Sequence, residues 1–99
     1  DIILIGFSSE KEKNVIESAK QMYMCLKDKI INEKLPIILY KPVPAPIDKI
    51  KNKFRWRLIV KCKFDDKIND AVSECLKDLE SKNIRDVKTI IDVNPTNMM

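Results

Sequence analysis

Apolar residues fill the chain from Ile2 to Phe7 almost without interruption, a short β-branched run of the kind that forms a central strand covered on both faces. Ser8 and Ser9 end it. Ser9 and Glu12 have the spacing of a capping box, in which the hydroxyl accepts from a free backbone N–H at a helix start and the carboxylate reaches back. In the helix predicted there, Val15, Ala19, Met22 and Leu26, with Ile16, Tyr23 and Ile30, recur at helical spacing, an apolar stripe about four turns long. The stripe fades from Asn32 to Lys34, and Pro36 cannot continue a helix. Ile37 to Tyr40 predicts a second strand. Pro42, Pro44 and Pro46 follow at alternate positions, and without backbone N–H groups they fit an edge or an extended polyproline-like arm rather than an interior strand. Lys49 to Lys53 is expected to turn the chain into the next strand.

From Phe54 to Phe64 the pattern alternates. Trp56, Leu58, Val60, Cys62 and Phe64 point one way, and Arg55, Arg57, Ile59, Lys61 and Lys63 the other. The first set is predicted core, and the second is a nearly continuous basic row. Asp65 and Asp66 cap a second amphipathic helix with Ile68, Val72, Cys75, Leu76 and Leu79 on one side, ending near Lys82 and Asn83. Val87 to Val93 supplies the last strand, closed by Asn94 and Pro95.

The element order is therefore β, α, β, β, α, β. This predicts an α+β fold, a split βαβ sandwich of ferredoxin type with a four-stranded antiparallel sheet and two helices on one face. Whether the strands at the two ends of the chain are neighbours is left open. The other sheet face lacks helices, yet it is not fully polar, because the first strand is apolar on both sides and Ile59 interrupts the basic row. Part of that face is expected to be covered by another part of a parent protein or by a partner.

Ninety-nine residues, 44% apolar and 34% charged, describe one globular domain over residues 1–99. The chain starts at Asp1, directly before an apolar strand, as a piece cut from a longer protein at a domain boundary would. No apolar run approaches the roughly 20 residues needed to span a bilayer, and no leader pattern opens the chain, so an intracellular location is expected. Three widely spaced cysteines and no histidine argue against an ordinary zinc site and for buried, reduced thiols. With one glycine, the chain has no phosphate-binding loop of the GxxxxGK[ST] type, and it pairs no nucleophile with a base. Enzymatic activity is not expected of this piece.

The net charge of +4 is unevenly spread. Lys41 to Lys63 holds eight Lys or Arg and one acid, a formal +7, and the remainder sums to −3. A positive segment on a mildly acidic body is the distribution of an anion-binding surface. The candidate DNA-binding residues are Lys49, Lys51, Lys53, Arg55, Arg57, Lys61 and Lys63, whose cations would neutralise phosphates and release counterions with little sequence preference. The same row on an ordinary protein is a solvated strand face. Arg55 and Arg57 are also candidates for binding a carboxylate of a partner, because a guanidinium fork matches that group. Trp56 has the face for stacking a base, but its alternation places it in the core with Leu58 and Val60.

Three stretches in order carry a resemblance. They are Pro42-Val43-Pro44-Ala45-Pro46-Ile47, Lys53-Phe54-Arg55-Trp56-Arg57-Leu58-Ile59-Val60-Lys61, and Ile91-Asp92-Val93-Asn94-Pro95. Over nearly the whole chain this resembles the C-terminal domain family of the bacterial replication-restart helicase PriA, primosomal protein N′. Lys41 and Asn52 stand where that family has glycine, Arg57 where it has glutamine, and Asn94 where it has aspartate. The resemblance implies a fold like that of ribosomal protein S10. It implies a role in recognising forked or branched DNA at stalled replication forks and in restarting replication through primosome assembly. The implied partners are branched DNA, the acidic, apolar C-terminal tail of single-stranded DNA-binding protein (met by Arg55 and Arg57), the helicase core and other domains of the same chain, and primosome proteins. The parent would be an ATP-dependent 3′ to 5′ helicase in the cytoplasm, associated with the nucleoid, with ATP, Mg and structural Zn held outside this piece. The alternative is a ribosomal S10-like or other RNA-binding domain. A small-molecule regulatory domain of the same shape fits less well, because glycine is almost absent from the loops.

Overall fold

An apolar strand needs partners on both edges, and the first one lies where it finds them, although the helices cover only one of its two faces. The computed structural model describes residues 1–50, 52–82, 84 and 86–95, and the side chains of all of these except 46–50. In it β1 (Ile2–Ser9) pairs antiparallel with β4 (Lys53–Lys61) on one side and with β5 (Lys88–Val93) on the other. The strands at the two ends of the chain are thus neighbours. On the outer side of β4 lie β2 (Ile38–Leu39) and β3 (Val43–Ile50), giving the order β2-β4-β1-β5 with β3 also paired to β4.

The sheet therefore has five strands where four are expected, because the second strand is split. Ile38 pairs with Lys61 and Leu39 with Val60, but Val43 pairs with Arg57, one residue beyond the position that register implies. Lys41 and Pro42 hold the extra residue, as in a β-bulge. A second irregularity falls between Pro44 and Lys49. The proline-rich stretch is an edge strand, the place where missing N–H groups are tolerated. Ile50 pairs with Lys53, so Lys49, Ile50 and Lys53 of the expected turn belong to strands, Asn52 is in the turn, and Lys51 lies outside the described residues.

The helices α1 (Glu12–Glu33) and α2 (Asp66–Ser81) cover one sheet face. Ile3, Ile5 and Phe7 from β1 and Leu58 and Val60 from β4 meet Val15, Ala19, Met22 and Leu26 of α1 and Ile68, Val72, Cys75 and Leu79 of α2 in a single core. Trp56, opposite Phe7, is half-buried against it. Two apolar expectations fail at the margins. Ile16 is exposed on α1, and Phe64 is 36% exposed because β4 ends at Lys61, before it. In addition, Ser18, a polar residue, is buried on the stripe.

The expected capping box does not form. Ser9 is still in β1, paired with Phe54, so its hydroxyl reaches only the Lys11 N–H at 3.1 Å, and α1 starts from Lys11 without a side-chain cap. Asp65 behaves as expected, its Oδ1 accepting from Ile68 N–H at 2.9 Å. All three cysteines are reduced, with Cys62 and Cys75 buried and Cys25 half-buried. Burial, and then the adjoining Cys25 thiol, push the Cys75 thiol well up, so it stays neutral. Among the described residues no helix is long and apolar enough to cross a membrane.

Four described residues other than glycine have positive φ: Lys34, Asn52, Asp86 and Asn94. Asn and Asp tolerate this conformation, whereas a lysine pays for its Cβ. Lys34 ends α1 at φ 52, its N–H donating to Ile30 O. Lys34→Gly is expected to stabilise the domain by about 0.5–1 kcal/mol, raising Tm by roughly 2–8 °C in thermal unfolding followed by circular dichroism.

Candidate nucleic-acid interface

Alternation along β4 turns Phe54, Trp56, Leu58 and Val60 towards the core and leaves Lys53, Arg55, Arg57, Ile59 and Lys61 on the face without helices. The register defines that face row by row. Lys61 stands between Ile38 and Ile2, Ile59 beside Leu4 and then Asp92, Arg57 between Val43 and Gly6 with Ile90 beyond, and Arg55 beside Ser8 and then Lys88. Lys53 pairs with Ile50 at the far end. Alternate strand residues are about 6.6–6.8 Å apart, so Lys53, Arg55, Arg57 and Lys61 mark one line of cations across the sheet. Lys53 and Lys61 are exposed, and Arg55 and Arg57 are half-buried.

The other expected contacts fall differently. Lys63 is exposed but lies past the end of β4, off the line. The strand stops because Asp1 takes over the pairing: Cys62 N–H donates to Asp1 O at 2.9 Å, and Phe64 N–H to Asp1 Oδ2 at 2.9 Å. Lys49 pairs through its backbone with Phe54, and its side chain lies outside the described residues, as does Lys51 entirely. Lys88 was missed from the sequence. Period two along β5 puts it with Ile90 and Asp92, but only the pairing of Ser8 with both Arg55 and Lys88 brings it to the row.

Gly6 also goes unnoticed in the sequence, and its place is informative. A Cβ built there would meet only Ile90 O, at 4.0 Å, so the missing side chain leaves open space in the middle of the face. That space is a small cleft of about 60 Å³, with Leu4, Ala45, Ile90, Arg55 and Arg57 among its walls. Two guanidinium groups beside an apolar floor suit an anion carried on an apolar chain.

The helix side is electrostatically different. A groove of about 530 Å³ between α1 and α2 carries Asp28, Glu33, Glu74 and Asp78 against Lys29 and Lys82. Lys29 Nζ donates to Glu74 Oε2 and lies 3.6 Å from Glu33. This hydrogen bond lowers the Glu74 pKa and raises that of Lys29. Glu74 is exposed and Lys29 half-buried, so water still reaches the pair and screens it, and it contributes little to stability. An acidic groove repels phosphates, which leaves the sheet face as the side suited to nucleic acid.

The family model described as the primosomal protein N C-terminal domain matches residues 1–96. The chain belongs to that family. Three of the four departures noted above, at Asn52, Lys41 and Asn94, have local explanations in this primosomal protein N C-terminal domain. Asn52, in place of glycine, takes the positive φ of the hairpin at 64°, and Lys41 has no positive φ to adopt. Asn94, in place of aspartate, uses both ends of its amide: Oδ1 accepts from Ile2 N–H at 2.8 Å, and Nδ2 donates to Asp1 Oδ1 at 3.3 Å. A carboxylate there would face the Asp1 carboxylate.

No curated protein matches the chain. Among solved structures it is similar to the de novo designed protein Foldit4, at 10% identity and TM-score 0.60, covering 95% of this chain and 97% of the other. It is also similar to a de novo designed protein with a ferredoxin fold, at 11% identity and TM-score 0.57, covering 97% and 88%. At such identities the likeness concerns the fold alone, and it agrees with the ferredoxin-type sandwich.

Proposed function

We propose that this domain is the DNA-binding and protein-docking module of an ATP-dependent 3′ to 5′ DNA helicase that recognises branched, stalled forks and restarts replication by primosome assembly. Membership of the primosomal protein N family supplies the replication-restart setting. The observation that carries the DNA reading is the line Lys53, Arg55, Arg57 and Lys61 on the sheet face without helices, joined by Lys88 across the sheet. Cations at strand spacing on an open surface neutralise phosphates without reading bases. Such a surface suits a fork, which is recognised by its shape. The domain acts by binding. On this reading ATP and Mg²⁺, with a structural Zn²⁺, belong to other parts of a cytoplasmic, nucleoid-associated parent, and the helicase core and primosome proteins are its further partners.

The cleft over Gly6 supports the docking half. An acidic, apolar peptide such as the C-terminal tail of single-stranded DNA-binding protein would place a carboxylate at Arg55 or Arg57 and a side chain over Gly6, Ala45 and Ile90. Arg55→Ala is expected to weaken binding of that tail peptide about tenfold or more, the value of one charge-assisted hydrogen bond. Gly6→Ala, which adds a methyl group without a clash, is expected to weaken it severalfold. Titration calorimetry with the peptide checks both, and equal affinity in wild type and Arg55→Ala would reject this docking site.

A further inference from the structure

Where the edge of the sheet breaks, an aromatic ring is left standing on the open face. Tyr40 follows β2 and its N–H donates to Ile59 O at 3.1 Å, so its backbone still belongs to the ladder. Ile38 is opposite Lys61 on the open face, and alternation puts Tyr40 on the same side, next to Ile59. The chain then bulges away at Lys41 and Pro42 before Val43 resumes the pairing opposite Arg57. Among the described residues no neighbour closes over the ring, which remains 49% exposed.

Tyr40, Ile2, Ile59 and Lys61 line a cleft of about 250 Å³. That is below the roughly 300–1,000 Å³ of drug-sized pockets, and suits one planar group. Three walls are apolar and the fourth ends in an ammonium. Arg57 lies two strand positions beyond Ile59 on the same face, so the cleft sits at the end of the cationic line. A planar apolar body with an anion attached, on a backbone that advances by steps like those of a strand, is a nucleotide of an unpaired strand.

We propose that this cleft receives one unpaired nucleotide of single-stranded DNA, its base stacked on the Tyr40 ring and its phosphate at the Lys61 ammonium. The inference rests on the DNA-binding reading above and deepens it, because it gives the face a preference for an unpaired strand beside a duplex. Ile2 and Ile59 form the floor, excluding water from the base. Stacking is indifferent to base identity, so the preference is for strandedness and not for sequence. An apolar peptide segment is the competing occupant, disfavoured by the cations that border the cleft.

The test uses the 99-residue chain with three fluorescent probes: an oligothymidylate, a blunt duplex with the same number of phosphates, and an acidic, apolar peptide. Tyr40→Ala is expected to weaken oligothymidylate binding about tenfold, the size of one base–aromatic stack. Tyr40→Phe should stay within about twofold, because the ring is kept. Duplex affinity should be unchanged in both, which also shows that the variants are folded. If the chain binds both DNA probes and Tyr40→Ala leaves them equal to wild type, or lowers them equally, the nucleotide subsite is overturned while the DNA reading stands. Loss confined to the peptide would make the cleft a protein-docking site. Wild type binding neither DNA would end both readings together.

Discussion

Replacing Lys61 and Lys63 together with Glu is expected to lower the affinity of this domain for duplex and forked DNA by about a hundredfold at low salt, with little dependence on sequence. The two residues are exposed, so the substitutions cost little folding energy. The effect is electrostatic: two phosphate neutralisations are lost and two repulsions appear. Each lost phosphate contact removes about 0.9 from the slope of log affinity against log salt, so the double variant should show a slope flatter by nearly 2. Lys61 stands on the strand line and Lys63 beyond its end, so Lys61→Glu alone should account for at least half of the change. Anisotropy titrations at several salt concentrations check both numbers, and an unchanged slope would remove Lys61 from the interface.

The largest effect on stability is expected at Phe7. It is 1% exposed and lies on the helix side of the central strand, between Trp56 and Thr89. Phe7→Ala removes most of a ring from a packed core and leaves a cavity, a loss of about 3–5 kcal/mol. Against the roughly 5–15 kcal/mol that hold a domain of this size folded, it takes away much of the margin. Thermal unfolding should show Tm lower by about 12 °C or more, or no folded state. Gly6→Ala, the adjacent position on the opposite face, is the control, because its Cβ enters open space, and it should unfold close to wild type.

The contrast between those neighbours shows which features of the fold are legible in the sequence. Burial leaves a period, and the period survives in the chain: the α1 stripe apart from Ile16, the α2 stripe and the alternation through Trp56, Leu58 and Val60 mark residues in the core or packed against it. Hydrogen-bond geometry leaves a weaker trace. Ser9 and Glu12 have the spacing of a cap, but Ser9 remains paired in β1 and the spacing is coincidental. Phe64 continues the alternation past the end of β4, and nothing in its own neighbourhood reveals that Asp1, at the other end of the chain, closes the strand there.

The candidate site divides in the same way. The charges of Arg55, Arg57 and Lys61 and their common side are local properties of one strand, and the sequence displays them. Lys88 joins them only through β1, which pairs with both strands, and cross-strand neighbours have no spacing of their own. The bulge at Lys41 and Pro42 is equally hidden. Prolines announce an edge, but the one-residue shift that separates Tyr40 from the next paired residue, Val43, is a property of the register. Of the two expectations for the proline stretch, an edge strand or an extended arm, pairing with β4 bears out the edge strand, where missing N–H groups are tolerated.

The central claim is that the sheet face opposite the helices binds DNA at forks. It is tested most directly by fluorescence anisotropy of this domain with labelled forked DNA, blunt duplex and a structured RNA, each at two salt concentrations. Salt-sensitive binding that favours the fork over both duplex and RNA is the expected result. Equal or tighter binding of the structured RNA, or affinity for the fork that does not change with salt, would contradict it.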